Sequence, residues 1–434
     1  MTIRLKYLQS PLIALALALP ATSFATNGYF SHGTSIAEKG MAGAGNAYSQ
    51  DAMAASNNPA GMVLQGDRLD VGLALFAPMR SYTVANNPTT GCPTCFSLAP
   101  GTVESENELF VIPQYGQNWM LNSESSIGIS VYGNGGMNTE YAAGAGPGTF
   151  GGGTAGVDLS QLFIATTYSR KFSESASWGI SGIIAYQRFE ATGLSQFGAF
   201  GLSSDPNNLT NNGTDSATGF GIRLGVQAEV TSGITLGFAY QPKIDMSEFD
   251  SYAGLFAEQG DFDIPSNYTL GLAWHISDKR VFLIDVQQIN YSDVAAVNSP
   301  ISPLVTDCFG TPGTGPGCLG ANGGAGFGWQ DMTIVKLGYE WQSSDAWTWR
   351  VGYSRADQPI PDSEALFNIL APGVIEEHLT FGFTRALTNN SDFNIALMYA
   401  PNFSVSGPNT FDPAQTIEIE MVQYELAASY SKRF

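Results

Sequence analysis

The sequence predicts an all-β fold: a fourteen-stranded antiparallel transmembrane β-barrel whose lumen is plugged by an N-terminal hatch of small helices. Three observations predict it. Apolar residues recur at every second position in segments about ten residues long, the pattern of strands with one apolar face. Short turns alternate with long Gly/Pro/Asn-rich ones, the habit of barrels with tight periplasmic turns and long outer loops. The chain also ends on Phe434, the last member of an alternating series, a C-terminal pattern like that of bacterial outer-membrane barrels, although Lys432 departs from its usual apolar choice.

Composition agrees. Only 13% of the 434 residues are charged, against about 25% in a typical soluble domain. Acids outnumber bases 38 to 18, a net charge of −20, which excludes nucleic acid as a partner because phosphate affinity needs clustered Lys and Arg. With 44% hydrophobic and 12% aromatic residues, disorder is excluded too. No run beyond the N-terminus approaches the roughly 18 apolar residues that a spanning helix needs.

Residues 1–25 read as a signal peptide: Arg4 and Lys6 are basic, 12–19 (LIALALAL) is apolar but short, and Ser23 and Ala25 are small. Thr26 then begins the mature chain. Residues 26–66 lack strand alternation and are rich in Gly, Ala and Met, so tight turns and short helices can fold back inside a barrel; a flexible tail is the alternative. The barrel proper is expected over 67–434. Its strands fall near 67–84, 107–121, 126–141, 159–172, 177–190, 217–230, 233–246, 262–276, 279–291, 329–342, 345–355, 375–388, 391–405 and 419–434. In the first, Leu69, Val71, Leu73, Leu75, Ala77 and Met79 form the apolar series; Phe220, Ile222, Leu224 and Val226 repeat it later. The long loops, 85–106, 142–158, 191–216, 247–261, 292–328, 356–374 and 406–418, all fall on one side. Trp341, Trp347 and Trp349 gather near strand ends, where an interfacial girdle would place them. The cysteines form two local pairs in loops, Cys92 with Cys95 and Cys308 with Cys318, read as disulfides of an exported protein. A zinc site is the alternative, but GCPTC has no adjacent His.

The Ala-Gly-Asn-Ala run at 44–47 and Asn58-Pro59-Ala60-Gly61-Met62 resemble the hatch of the FadL/TodX family of outer-membrane long-chain fatty acid and hydrocarbon transport proteins. Further likenesses follow in order along the chain: 133–141 (GNGGMNTEY), 240–245 (YQPKID), 283–286 (LIDV) with Tyr291-Ser292, Trp329-Gln330-Asp331 with Leu337-Gly338-Tyr339, and 350–353 (RVGY) with 358–361 (QPIP). The resemblance implies capture of ligand by outer loops, an internal pocket, and sideways release into the membrane near an inward kink of the third strand. Gly133, Asn134, Gly135 and Gly136 give such a kink a physical basis, since glycines within a strand mark bulges and weakened pairing; the alternative is that they end the strand.

Alternation sets the inward residues. The basic ones are Arg80, Arg223, Lys243, Lys336 and Arg350, candidates to meet a ligand carboxylate. Inward Asp70, Asp285, Glu340 and Glu376 compete for them. A ligand tail would lie against Phe30, Ile36, Met41 and Met53 of the hatch. Hatch residues Asn58, Pro59 and Ala60 form a rigid turn at the wall. No nucleophile elbow, zincin, phosphate-loop or EF-hand motif occurs, and the inward His378 is expected to pair with Glu340 or Glu376. The expected protein is thus not an enzyme and carries no cofactor or metal. It is a monomeric channel in the bacterial outer membrane, touching outer-membrane lipid and lipopolysaccharide, that takes up long-chain fatty acids. Neutral aromatic hydrocarbons are the alternative ligand; an open porin and a lipid hydrolase are more distant.

Overall fold

A computed structural model describes residues 27–92, 95–144, 146–388 and 390–434; the proposed signal peptide and Thr26 lie outside the described residues. Its strands are β1 (Arg68–Ala85), β2 (Gly101–Glu104), β3 (Phe110–Asn122), β4 (Ser125–Tyr141), β5 (Ala155–Ser173), β6 (Ala176–Thr192), β7 (Asp215–Thr231), β8 (Ile234–Gln241), β9 (Asn267–Ser277), β10 (Arg280–Ile289), β11 (Met332–Ser344), β12 (Trp347–Arg355), β13 (Glu377–Thr388), β14 (Ser391–Asn409) and β15 (Asp412–Arg433). Strand β15 pairs with β1 from Arg433 opposite Arg68 to Thr416 opposite Ala85 and closes the sheet. Strand β2 is an addition, paired with β1 over 81–84, while β3 takes 68–76. The wall therefore has fourteen strands, all antiparallel. Closure lets the ladder satisfy backbone groups that lipid cannot.

The outer face is apolar because the period-two pattern puts it there. On β7, Phe220, Ile222, Leu224 and Val226 are 69, 36, 43 and 46% exposed, whereas Gly221, Arg223 and Gly225 between them are buried. Near the short turns, Trp347 and Trp349 stack with centroids 5.3 Å apart, and Trp341 stacks on Tyr339 at 5.7 Å. Amphipathic rings suit that boundary of apolar and wet.

Three expected boundaries are corrected, the first being β9, which starts at Asn267 and not at residue 262. Strand β8 stops at Gln241 instead of continuing to residue 246, because Pro242 has no N–H to donate to a ladder. The expected loop 406–418 is nearly all strand: β14 and β15 pair as far as Asn409 opposite Asp412. Gly407 and Pro408 look like strand breakers, yet Ile417 and Ile419 opposite this stretch are fully buried, and burial outweighs weak local propensity. Both cysteine pairs are joined, Cys92 with Cys95 and Cys308 with Cys318, with Cα separations of 5.4 and 4.8 Å.

Residues 27–66 lie against the inner wall as short turns. Helix α1 (Ile36–Lys39) is capped by Ser35, whose hydroxyl accepts from the Glu38 N–H. A 3₁₀ turn, Pro59–Leu64, is capped by Asn58, with Pro59 at its first position, where a missing N–H costs nothing.

Candidate functional site: a polar chamber beside an apolar one

The N-terminal segment is fixed to the wall by charge and by backbone hydrogen bonds. Lys39 meets both carboxylate oxygens of Glu425 on β15 at 2.7 Å, each side chain 3% exposed. Asp285 on β10 accepts from the N–H groups of Gly45 and Asn46 at 2.8 and 2.9 Å. Asp51 accepts from Ser35 and, at 2.9 Å, from the Met53 N–H; burial and then the negative charge of Asp70 push its carboxyl up to about 6. Burial, followed by the charge of Lys39, holds the His32 imidazole well below its usual range, so the ring is neutral.

Asn58 is the most heavily bonded residue of the turn. Its Oδ1 accepts from the Ala60 N–H at 3.0 Å; its Nδ2 donates to the carbonyls of Asn46 at 2.8 Å and Val226 at 3.0 Å. Asn58→Ala removes the cap and strands two carbonyls. Docking of the segment should weaken by about 1–3 kcal/mol, read as earlier proteolysis of 27–66 with the folded barrel retained; unchanged protease resistance would contradict that role.

The five inward cations of the sequence reading separate into distinct places. Lys243 lies beyond the end of β8, is exposed, and pairs with Asp245 at 3.0 Å and Asp263 at 2.5 Å, so it is corrected from lumen to loop. Arg350 is buried but committed to Glu340 at 2.7 Å and to Gln50 and Thr384 at 2.6 Å. It lines a polar vestibule of about 880 Å³ on the short-turn side with Arg68, Arg433 and Asp392. Arg80, on β1, donates to the carbonyls of Asn138 on β4 and Asn107 before β3, and sits 5.6 Å over the Phe110 ring.

Arg223 and Lys336 come together. Both line a polar chamber of about 50 Å³ inside the barrel, with Tyr132, Asn134, Asn267 and Phe30. Arg223 donates to the carbonyls of Ser56 and Ala55, to the Tyr132 hydroxyl at 3.3 Å, and to Gln241 at 2.7 Å. Lys336 donates to the His32 carbonyl at 3.0 Å. Among the described residues neither has a carboxylate within 4.0 Å, although Glu38 also lines the chamber. Asn267 is 6% exposed, and among the described residues its Nδ2 lacks a partner. The hydrogen-bond partners of both buried cations are neutral oxygens, while Asp285 stands opposite Lys336 across the β10–β11 pair; a cation so placed can receive an anionic or strongly dipolar group.

An apolar cavity lies on the long-loop side. It measures about 20 Å³ and is lined by Phe189 and Val157 of the wall and by Leu194, Phe256, Leu319, Phe327 and Phe367 from four outer loops. These side chains must part for a ligand to occupy it. Phe327 lies 6.4 Å from Trp329, Trp329 lies 5.2 Å from Tyr291, and Tyr291 lies 6.1 Å from Phe30, which borders the polar chamber. Aromatic rings thus connect the two cavities. Phe30, Ile36 and Met53 share this apolar cluster, whereas Met41 packs instead with Ala273 and Leu283 on the wall.

The wall is incompletely laddered between β3 and β4. Strands β3 and β4 pair only from Tyr115 opposite Val131 to Asn122 opposite Ser125. Above that, β4 pairs with β5 alone, through a register shift between Gly133 and Gly135. The glycine run is therefore a bulge within a continuing strand. The interval is bridged at its far end where Glu106 N–H reaches Glu140 O at 2.8 Å, and where the Arg80 guanidinium spans to Asn138. From inside, the N-terminal segment covers it: Gly136 N–H donates to Tyr29 O at 2.9 Å, and Ser31 N–H to Asn134 O at 3.1 Å. A Cβ at Gly135 would lie 2.1 Å from Tyr29 O, so only glycine admits this approach.

His378 pairs with neither Glu340 nor Glu376. Its Nδ1 contacts Ser354 Oγ at 2.9 Å, and its ring stacks on His32 with centroids 5.6 Å apart. The residues are opposite one another on β12 and β13. In a hydrolytic triad a third group orients the imidazole through its second nitrogen; among the described residues no partner meets the buried Nε2 of His378. Glu376 instead faces Arg355 at 3.7 Å.

Residues 17–434 match the family model described as outer membrane protein transport protein (OMPP1/FadL/TodX). The fold resembles the Pseudomonas putida toluene transporter TodX, at 18% identity over 95% of this chain and 99% of that one, TM-score 0.64. It also resembles a Pseudomonas aeruginosa FadL homologue, at 16% identity over 94% and 100%, TM-score 0.67. The Ralstonia pickettii toluene transporter TbuX is similar at 18% identity over 93% and 99%, TM-score 0.61. No curated protein matches. A closed fourteen-stranded wall with an apolar outer band, matched by the family model over nearly its whole length, identifies the chain as an outer-membrane β-barrel belonging to the FadL/TodX family of transport proteins.

Proposed function

We propose that the protein is a passive outer-membrane channel for long-chain fatty acids, with residues 26–66 as its hatch. The observation that carries this reading is the convergence of Arg223 and Lys336, buried and, among the described residues, without a carboxylate within 4.0 Å, on one small chamber beside an apolar cluster. A carboxylate in a low-dielectric interior needs such partners, and the alkyl tail needs the aromatic path toward the outer loops. Release is sideways, through the interval between β3 and β4 once the hatch tip withdraws. The chain works as a monomer, its apolar band in contact with outer-membrane lipid and, on the outer leaflet, lipopolysaccharide.

A neutral hydrocarbon is the second reading. It draws on the apolar cavity, whose lining side chains are all apolar, and on fold-level relatives described as toluene transporters. Uptake by cells lacking their own channel decides between them. Expression of this protein should accelerate uptake of labelled oleate more than that of labelled toluene; acceleration of toluene alone would transfer the assignment to hydrocarbons. Catalysis has no support in the Ser354 and His378 geometry, and purified protein should leave lipid esters intact.

A further inference from the structure

One hydroxyl group bonds the hatch tip twice. Tyr291, in the turn directly after β10, donates through its phenolic O–H to the Asn27 carbonyl at 2.5 Å and accepts from the Tyr29 N–H at 3.2 Å. Burial pushes this hydroxyl up, so it stays protonated and remains a donor. Both bonds fall on the tip that in turn supplies Tyr29 O to the Gly136 N–H of β4. Gly28, between the two bonded residues, has φ +65°, and a Cβ there would lie 2.4 Å from the Tyr291 oxygen and 2.8 Å from the Trp329 ring. The tip is therefore seated against Tyr291 and Trp329 with no spare room.

Tyr291 and Trp329 stand at the two ends of the loop between β10 and β11, the same loop whose Leu319 and Phe327 line the apolar cavity. Trp329 donates to Asn368 Oδ1 at 2.6 Å, and Asn368 Nδ2 donates to the Phe327 carbonyl at 2.7 Å. The cavity lining, Trp329 and Tyr291 thus form one connected group of side chains. We propose that Tyr291 is a latch: a positioning residue through which this outer loop holds the hatch tip on the β4 bulge, and through which an apolar ligand parting Phe327 and Trp329 frees the tip. The consequence for transport rests on the sideways-release reading; the latch itself does not.

Tyr291→Phe keeps the ring and deletes both hydrogen bonds. Amide hydrogen exchange at Gly136 and Ser31 should speed up by about tenfold or more, as expected when a local closed state is loosened, while the β4 to β5 ladder amides flanking the bulge stay protected. In the native protein, saturating hexylbenzene should speed the same two amides, and in Tyr291→Phe it should add little. Gly28→Ala, whose Cβ would press the tip off the Tyr291 hydroxyl and the Trp329 ring, should reproduce the effect. Native exchange rates at Gly136 and Ser31 in a folded Tyr291→Phe barrel would overturn the latch, as would a native protein whose exchange ignores the hydrocarbon. Faster exchange with unaltered oleate and toluene uptake would leave the latch standing and overturn sideways release.

Discussion

Replacing Lys39 with Met should unseat the proposed hatch and turn the barrel into a leaky pore. Lys39 and Glu425 are each 3% exposed and bonded to one another at 2.7 Å. Removing the ammonium leaves an uncompensated carboxylate under the hatch, a loss of about 3–5 kcal/mol when one partner of a buried pair is deleted. That cost falls on docking of the hatch, because Glu425 belongs to the wall and Lys39 to the hatch, while the ladder joining β14, β15 and β1 is untouched. Conductance across planar bilayers should rise from near zero to frequent openings, and cells should become sensitive to large polar antibiotics. Adding Glu425→Met should restore the seal, since two apolar groups of similar volume replace a buried pair with little net loss. A Lys39→Met barrel that stays electrically silent would show that this pair does not hold the hatch.

The architecture was legible in the sequence because lipid imposes a strict rule. Every second residue of a wall strand must be apolar, so Phe220, Ile222, Leu224 and Val226 announce β7 and its outward face together. The same rule misleads where a strand ends. Tyr240, Pro242 and Ile244 continue an alternation past the point at which Pro242 ends pairing, and that alternation points Lys243 into the lumen although it lies in a loop. At 406–418 the error ran the other way, since Gly407 accommodates a close contact, its Cβ position lying 1.7 Å from the Asp362 carbonyl. Its presence records tertiary packing and not a loop.

The site was legible in part. Period two placed Arg223, Lys336, Arg350 and Arg80 inside, but gave no means of ranking them. What ranks them is which oxygen each one meets. Arg350 has Glu340, a charged residue visible in the sequence, whereas Arg223 and Lys336 have the backbone carbonyls of Ser56, Ala55 and His32. A carbonyl belongs to every residue and so leaves no signature. The Tyr291 hydroxyl and the Lys39 side chain were missed for a related reason: their partners lie more than 260 and 380 positions away, at Asn27 and Glu425. Asn267 was nearer to reach, as a polar residue of inward parity with Thr269 on β9.

The second large effect concerns the head group. A fatty acid anion in the polar chamber replaces neutral carbonyls as the partner of Arg223 and Lys336, and each charge-assisted hydrogen bond contributes about 1.5–3 kcal/mol. The hydrocarbon tail gains only apolar burial, about 0.8 kcal/mol per methylene, which no cation influences. Arg223→Lys and Lys336→Arg keep the charge and should retain most oleate affinity; these variants separate loss of charge from loosening of the hatch.

The most direct measurement is equilibrium binding of oleate and of hexylbenzene to purified Arg223→Gln and Lys336→Gln barrels, side by side with the native protein. The account predicts that oleate weakens by about 10–100-fold in at least one of them, the equivalent of a lost charged hydrogen bond, while hexylbenzene changes by less than about threefold. Oleate binding at native strength in both variants would contradict it, and so would a parallel loss of oleate and hexylbenzene.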